Sequence, residues 1–387
     1  MKRTNRYISF GLMIGLAFSL MLGGVSAKAG QKSVAIPKMM TWSTYEVGTG
    51  LYMAVGYVST TLFEKYGIKI RVIPAASEIA RYYPARLKDA EFVFTGLGGY
   101  FVQEGLEDLS AMEWGPQPIR AIYYGQHPGL SVAILGDSDI HTAADLKGKR
   151  IAAYPSKPLT LVCEVHLAFA GLTWDDVVKV MCPSVSGSWR MQMDGHVDGT
   201  MMNPTASKAY EMASMPHGLR YVPLPVADKE GWARVKKQYP AYSPFTATIG
   251  AGLSPEKPVE TCSYPYPVAF AYDFVPEEKA YIMTKLLVEA YPDYAKKHKS
   301  LKAYWTPDIC LKNFDNYPLP MHRGSIRYFK EIGKWTPERE AKNRERLQYQ
   351  AKLRKLWDDT VNEALQKKMK SKKFPEFWLK KRAGAGF

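Results

Sequence analysis

Between residues 34 and 255, short runs rich in β-branched and aromatic residues alternate with amphipathic stretches long enough to be helices. A strand separated from the next by a helix pairs most simply in parallel across a crossover, so the alternation points to an α/β chain with largely parallel sheets. Strands are predicted near residues 34–40, 68–73, 92–95, 119–124, 131–135, 150–153, 178–181, 199–202 and 219–223. Helices are predicted over 50–65, 79–87, 161–170, 188–193, 205–212 and 229–238. One pattern occurs twice: residues 87–95 and 193–201 each end a helix, turn through polar residues and enter a buried strand. Two lobes built on one plan explain the echo, although any helix–turn–strand unit can produce it.

The strand at 131–135 would carry the chain into a second lobe, and the apolar run 264–274 would carry it back. Two crossing segments make a hinge with a cleft between the lobes, a geometry that holds small ligands and closes over them. The expected layout is a first lobe of residues 30–130 and 269–336, a second lobe of 131–268, and a C-terminal helix and tail over 337–387.

Lys2, Arg3 and Arg6 precede an uncharged apolar run over residues 8–22, followed by the small-residue sites Val25-Ser26-Ala27 and Ala27-Lys28-Ala29. This is the pattern of a cleavable export signal covering residues 1–29, since a run of about 15 apolar residues is short for a membrane span. The expected mature chain is soluble and periplasmic. Neither G-x-x-x-x-G-K-[ST] nor G-x-G-x-x-G occurs, so no nucleotide cofactor is expected.

The net charge of +15 would suggest a nucleic-acid or membrane partner, but its distribution argues against nucleic acid. Residues 337–387 carry +8 and the signal region +4, leaving +3 for the body. Cys163, Cys182, Cys262 and Cys310 show no C-x-x-C spacing and the seven histidines are scattered, so no metal site is expected. The thiols are either packed or joined in one or two bridges of undetermined pairing.

Asp145-Leu146-Lys147-Gly148-Lys149-Arg150-Ile151-Ala152 resembles the D-L-K-G-K signature of type II periplasmic solute-binding proteins. Tyr317-Pro318-Leu319-Pro320-Met321-His322-Arg323-Gly324-Ser325-Ile326-Arg327-Tyr328-Phe329-Lys330-Glu331-Ile332-Gly333 resembles the ending of the TAXI-type solute receptors of TRAP transporters. With the turn at 171–177 and the stretch 194–199, the resemblance extends over roughly residues 33–333. It implies a two-lobed, type II periplasmic-binding-protein fold without enzymatic activity, which delivers a small, usually carboxylated solute to TRAP membrane permease subunits. The sequence departs from the family where ligand would be held: Ala80 stands at an expected Asn, and Ser156-Lys157-Pro158-Leu159-Thr160 replaces a G-S-G-T turn.

Helix N-termini carry unpaired N–H groups and a positive dipole end that attract anions. Three first-turn segments, 43–49, 76–81 and 156–160, are expected at the cleft, with Thr44, Thr49, Ser77, Ser156 and Thr160 as hydroxyl donors or simple N-caps. Arg81 could grip a carboxylate bidentately, or form a structural pair with Glu78 or Asp89. Lys157 could add a charge from the second lobe. Thr95 and Tyr100 follow a strand at the end where α/β sheets place ligands, and Asn203 would face them. Trp42, Tyr45, Tyr154 and Trp189 would supply an aromatic wall or belong to the core.

Two other functions fit the same fold: a ligand sensor for a membrane signalling partner, and an exported hydrolase or transferase with Cys163 as nucleophile and His166 on the same helical face. Leu353, Leu356, Trp357, Val361, Leu365 and Met369 recur at mostly three- and four-residue steps, predicting one long amphipathic tail helix. Its apolar stripe packs on the lobes, or residues 367–373 with Phe374, Phe377 and Trp378 touch anionic lipid or the transporter.

Overall fold

A computed structural model describes residues 35–387 apart from Pro240. The expected export signal, residues 1–29, lies outside the described residues. The strands are β1 (Met39–Tyr45), β2 (Lys69–Ala75), β3 (Phe92–Val93), β4 (Ile119–Gln126), β5 (Ser131–Leu135), β6 (Arg150–Ala153), β7 (Val178–Met181), β8 (Thr200–Met202), β9 (Leu219–Tyr221), β10 (Ser243–Ala247), β11 (Val259–Ser263) and β12 (Pro265–Tyr272). The helices around the cleft and in the second lobe are α1 (Gly50–Tyr66), α2 (Glu78–Arg86), α3 (Gly98–Glu104), α4 (Lys157–Phe169), α5 (Val185–Met193), α6 (Ser207–Ala213) and α7 (Lys229–Gln238). The remainder are α8 (Glu277–Glu289), α9 (Tyr291–Lys297), α10 (Lys299–Tyr304), α11 (Pro307–Asn316), α12 (Arg323–Glu331), α13 (Pro337–Gln366) and α14 (Phe374–Gly384).

The first sheet has the order β2-β1-β3-β12-β4, with β1 parallel to β2 and β3 while β12 runs antiparallel to β3 and β4. The second lobe repeats this plan. There β6 lies parallel to β7 and bridges in parallel to Gly199 at the entrance of β8, and β5 runs antiparallel to β8 and β9. The strand that enters each lobe last or first, β12 or β5, is thus the antiparallel one. The two echoed stretches of sequence are the α2-to-β3 and α5-to-β8 connections, equivalent places in the two plans. This is a two-lobed α/β architecture, as expected, with mixed rather than purely parallel sheets.

The chain leaves the first sheet through residues 127–130 and returns through 263–264, and the two segments are stitched together. Leu130 N–H donates to the Cys262 carbonyl at 2.9 Å, and Ser263 Oγ donates to the His127 carbonyl at 2.9 Å.

Local sequence explains the helices that reach the cleft. Thr49 caps α1 by accepting the Tyr52 N–H, and Gly67, at φ 68°, closes it in the left-handed region that a glycine adopts without strain. Between those ends Leu51, Ala54, Val55, Val58 and Leu62 fall at helical spacing and are buried against the sheet. Each fully buried aliphatic side chain contributes about 1.5–3 kcal/mol relative to exposure.

The motif at residues 317–333 has a packing role. His322 caps α12 by accepting the Gly324 N–H, Ser325 Oγ meets Thr284 Oγ1 at 2.7 Å, and a side chain at Gly324 would strike the backbone of Glu277 and Tyr281. These contacts fasten α12 to α8.

The long helix expected over residues 338–370 is α13, and a second helix, for which there was no expectation, follows it. The long α13 starts at the Thr336 cap with Pro337 in its first turn, and the chain then folds back as α14. Leu353, Trp357, Ala364, Phe374 and Trp378 form their own buried core, with Trp357 and Trp378 packed edge to face at 4.9 Å. Polar pins join this unit to the first lobe: Trp378 Nε1 donates to the Gly105 carbonyl at 2.8 Å, and the buried Glu104 accepts from Tyr349 and Arg382 at 2.7 Å each. Of the two readings of the tail, packing holds for Phe374 and Trp378, which are interior because the reversal after α13 folds them onto its apolar stripe. The four cysteines are buried free thiols, not bridges.

Candidate ligand site between the lobes

The site is built where the N-terminal ends of α2 and α4 face each other across the cleft. Arg81, in the first turn and a half of α2, is fully buried, with its guanidinium carbon 3.7 Å from the centre of the Tyr45 ring. Its Nη1 lies 2.6 Å from Glu78 Oε1 and 3.4 Å from Thr95 Oγ1, and its Nη2 donates to the Ala75 carbonyl at 3.2 Å. Burial alone would pull the guanidinium pKa down, but the adjacent Glu78 carboxylate overrides it and holds it above the ordinary value. Burial, and then Glu78, pushes the Tyr45 phenol up, so Tyr45 is neutral. The Arg81 Nε–H has no hydrogen-bond partner among the described residues.

The Glu78 carboxylate touches both lobes. Ser156 Oγ, at the cap position of α4, donates to Glu78 Oε1 at 2.9 Å, and Thr95 Oγ1 lies 3.4 Å from Oε2. The missing side chain of Gly98 makes room for this carboxylate, since a Cβ there would collide with it. A second crossing contact repeats the chemistry: Glu46 Oε1, from the β1–α1 turn, accepts the Val185 N–H at 2.7 Å in the first turn of α5. Around it, Ser186 Oγ donates to the Val47 carbonyl at 3.0 Å and Ser207 Oγ to the Gly48 carbonyl at 3.2 Å.

Beside Glu78 opens a cavity of about 350 Å³, lined by Phe101 and Leu109 from one lobe and Tyr154, Lys157 and Glu164 from the other. That volume suits a small organic molecule. Next to the crossing segments, Thr49, His127, Asn203 and Tyr264 surround a space of only about 40 Å³. Burial drives the His127 pKa down to about 3, so this lining is uncharged at neutral pH.

The expected site residues divide into three groups. Arg81, Thr95 and Ser156 converge on one carboxylate, and Lys157 and Thr160 line the larger cavity. Lys157 is tied to Glu164 at 2.7 Å, while Thr160 Oγ1 accepts the Tyr154 N–H at 2.8 Å and so braces its own loop. Thr49 and Asn203 line the smaller space, with Asn203 Oδ1 taking the Thr205 N–H at 2.9 Å and its amide nitrogen packed on Gly50.

Three residues are placed elsewhere. Ser77 is the N-cap of α2, accepting the Ala80 N–H at 3.2 Å. Thr44 is not in a loop but in β1, fully buried, its hydroxyl without a partner among the described residues. Tyr100 lines a separate groove with Glu104, Tyr317 and Tyr349 under the tail. Among the aromatics, Tyr45 stacks on Arg81 and Tyr154 lines the larger cavity, whereas Trp42 and Trp189 belong to the core, with Trp189 Nε1 bonded to the Met201 carbonyl at 3.1 Å.

Cys163 is fully buried and its thiol pKa is driven up by that burial. The ring of His166 is occupied by backbone, 2.8 Å from the Val162 carbonyl and 3.3 Å from the Val132 N–H. The two do not form a nucleophile–base pair. No group of three His, Cys, Asp or Glu suited to a metal occurs among the described residues. Sequence reasoning missed Glu46 as a cleft residue and counted Glu78 only as an ion-pair partner. The signal was present in Glu78 itself, an acidic residue directly after the α2 cap and three before Arg81.

No curated protein matches the sequence. Among solved structures the chain is similar to the periplasmic aliphatic sulphonate binding protein SsuA from Escherichia coli, with a TM-score of 0.43 and 13% identity over 86% of this chain and 94% of that one. It is also similar to PhnD1 from Prochlorococcus marinus in complex with methylphosphonate, with a TM-score of 0.41 and 14% identity over 78% of this chain and 100% of that one. The sequence model of the NMT1-like family matches residues 45–333 of the 387. That span runs from Tyr45 beneath Arg81, through both lobes and the crossing segments, to the end of the motif on α12, and by it the chain belongs to the NMT1-like family.

Proposed function

We propose that this protein is a periplasmic solute receptor, not an enzyme, which binds a small carboxylated organic solute between its lobes and delivers it to TRAP-type membrane permease subunits. The observation that carries the reading is the meeting of Arg81, Thr95 and Ser156, two residues from one lobe and one from the other, around a single carboxylate. Contacts made to both lobes at once exist only in the closed state, so a ligand that makes them shifts the receptor toward closure. The neighbouring cavity of about 350 Å³ gives room for the rest of a small acid. The export-signal pattern supports the periplasmic location, and the motif at residues 317–333 supports the TRAP partner. The two moving lobes are taken to divide at the crossing segments, so that β12 (Pro265–Tyr272) moves with the first sheet and the second lobe ends before it rather than at residue 268.

A thermal-shift panel of small carboxylates, amino acids and aromatic acids on stripped and refolded protein tests this. One class of acid should raise the melting temperature with concentration, because selective binding to the native state stabilises it. A panel in which only neutral or cationic compounds act would reject the carboxylate.

A further inference from the structure

The carboxylate at the meeting point of the two lobes belongs to the protein itself. Glu78 contacts Arg81 at 2.6 Å and Thr95 at 3.4 Å within the first lobe, and Ser156 at 2.9 Å in the second. Glu46 makes a second first-lobe carboxylate bond to the second lobe, on the Val185 N–H at 2.7 Å. Both are contacts of the kind a closing ligand would make, and both are satisfied by side chains.

A solute carboxylate entering beside Arg81 would meet the Glu78 carboxylate already there. One buried guanidinium cannot balance two buried carboxylates, since an uncompensated buried charge is strongly disfavoured. Exchanging one carboxylate for another keeps the buried charge constant. Room for the displaced side chain exists, because Glu78 lines the 350 Å³ cavity as well as the ion-pair seat over Gly98. The Arg81 Nε–H, buried and without a partner among the described residues, gives an incoming acid one bond that Glu78 does not make.

We propose that Glu78 is a resident stand-in for the solute: with the cleft empty it latches the lobes through Arg81, Thr95 and Ser156, and a solute carboxylate binds by displacing it. The displacement half of this rests on the carboxylate reading above; the latch half does not. The affinity the receptor shows for its solute is then reduced by the cost of expelling Glu78, and selectivity favours acids able to use all four donors.

Two measurements test it. Small-angle X-ray scattering of the solute-free chain compares the wild type with Ser156→Ala, which removes the second-lobe donor and leaves the buried ion pair intact. The latch predicts a larger radius of gyration for Ser156→Ala; identical scattering overturns it. Calorimetric titration with acetate, succinate and benzoate then compares the wild type with Glu78→Gln, which keeps the shape and frees the Arg81 charge. Displacement predicts binding about tenfold tighter or more in Glu78→Gln, because the competing state is removed. Binding that is equal or weaker overturns displacement. If Ser156→Ala opens but neither protein binds any of the three acids, the latch stands and the carboxylate reading fails.

Discussion

Replacing Arg81 by methionine isolates the Glu78 carboxylate in a place built to hold an ion pair, and the cost follows from burial. Arg81 is fully buried and Glu78 is 7% exposed, so the orphaned carboxylate keeps only the hydroxyls of Thr95 and Ser156 as partners. Breaking one half of such a pair costs about 3–5 kcal/mol. Loss of the stacking on Tyr45 at 3.7 Å adds about 0.5–2 kcal/mol. The double variant Glu78→Gln with Arg81→Met removes both charges and leaves a neutral amide beside the same hydroxyls. It should lie about 2 kcal/mol or more above the Arg81→Met single variant in stability, because neutralising a buried pair together is far cheaper than stranding one member. Urea unfolding followed by tryptophan fluorescence, with the slope m checked to be unchanged, gives all four corners of the cycle. A cost below about 1 kcal/mol for Arg81→Met, or a double variant whose cost is the sum of the singles, would refute the buried-pair account.

Two further outcomes follow from other parts of the molecule. Trp378→Ala removes a fully buried indole and its 2.8 Å bond to Gly105, and should cost about 3–5 kcal/mol by chemical denaturation; a change under about 1 kcal/mol would mean that α14 is not docked as described. Burial lowers the pKa of His166 to about 4, of His322 to about 4 and of His127 to about 3, so the folded state resists protons that the unfolded chain takes up. Their folded values lie below the unfolded value of about 6.5, so stability is full above that pH and falls as pH drops toward 4, by about 2 kcal/mol per histidine at pH 5. His166→Gln should flatten that slope in unfolding curves taken at pH 7 and pH 5, and an unaltered slope would show that His166 does not contribute to it.

The sequence was most legible where local pattern and burial agree. The expected bounds of β5, β6, β7 and α7 coincide with the structure, since each is a short apolar or amphipathic run bracketed by turn residues. The first strand was displaced: the apolar residues 34–36 drew the expectation toward the N-terminus, whereas β1 spans Met39–Tyr45 and buries Ser43 and Thr44 among hydrophobic neighbours. Polar side chains in a fully covered strand look like a loop when read one residue at a time. That misreading placed Thr44 in the cleft.

At the site, the sequence named Arg81 and offered both a ligand grip and an ion pair with Glu78, and the structure shows the ion pair. The latch itself was invisible, because Glu78 and Ser156 are 78 residues apart and meet only when two lobes face each other. Glu46 was hidden for the same reason: its partner is the backbone of Val185, 139 residues on, and a backbone N–H carries no sequence signature. Tyr100 was drawn to the cleft by its position after a strand, but it follows the face of α3 that packs under the tail, whose fold-back the periodicity of α13 alone does not reveal.

Native mass spectrometry of the stripped, refolded protein after incubation with a small-molecule extract, wild type beside Arg81→Ala, tests the central claim most directly. The account predicts one small acid bound per wild-type chain and none on Arg81→Ala. A bound species that Arg81→Ala retains equally, or one that is cationic, would contradict it.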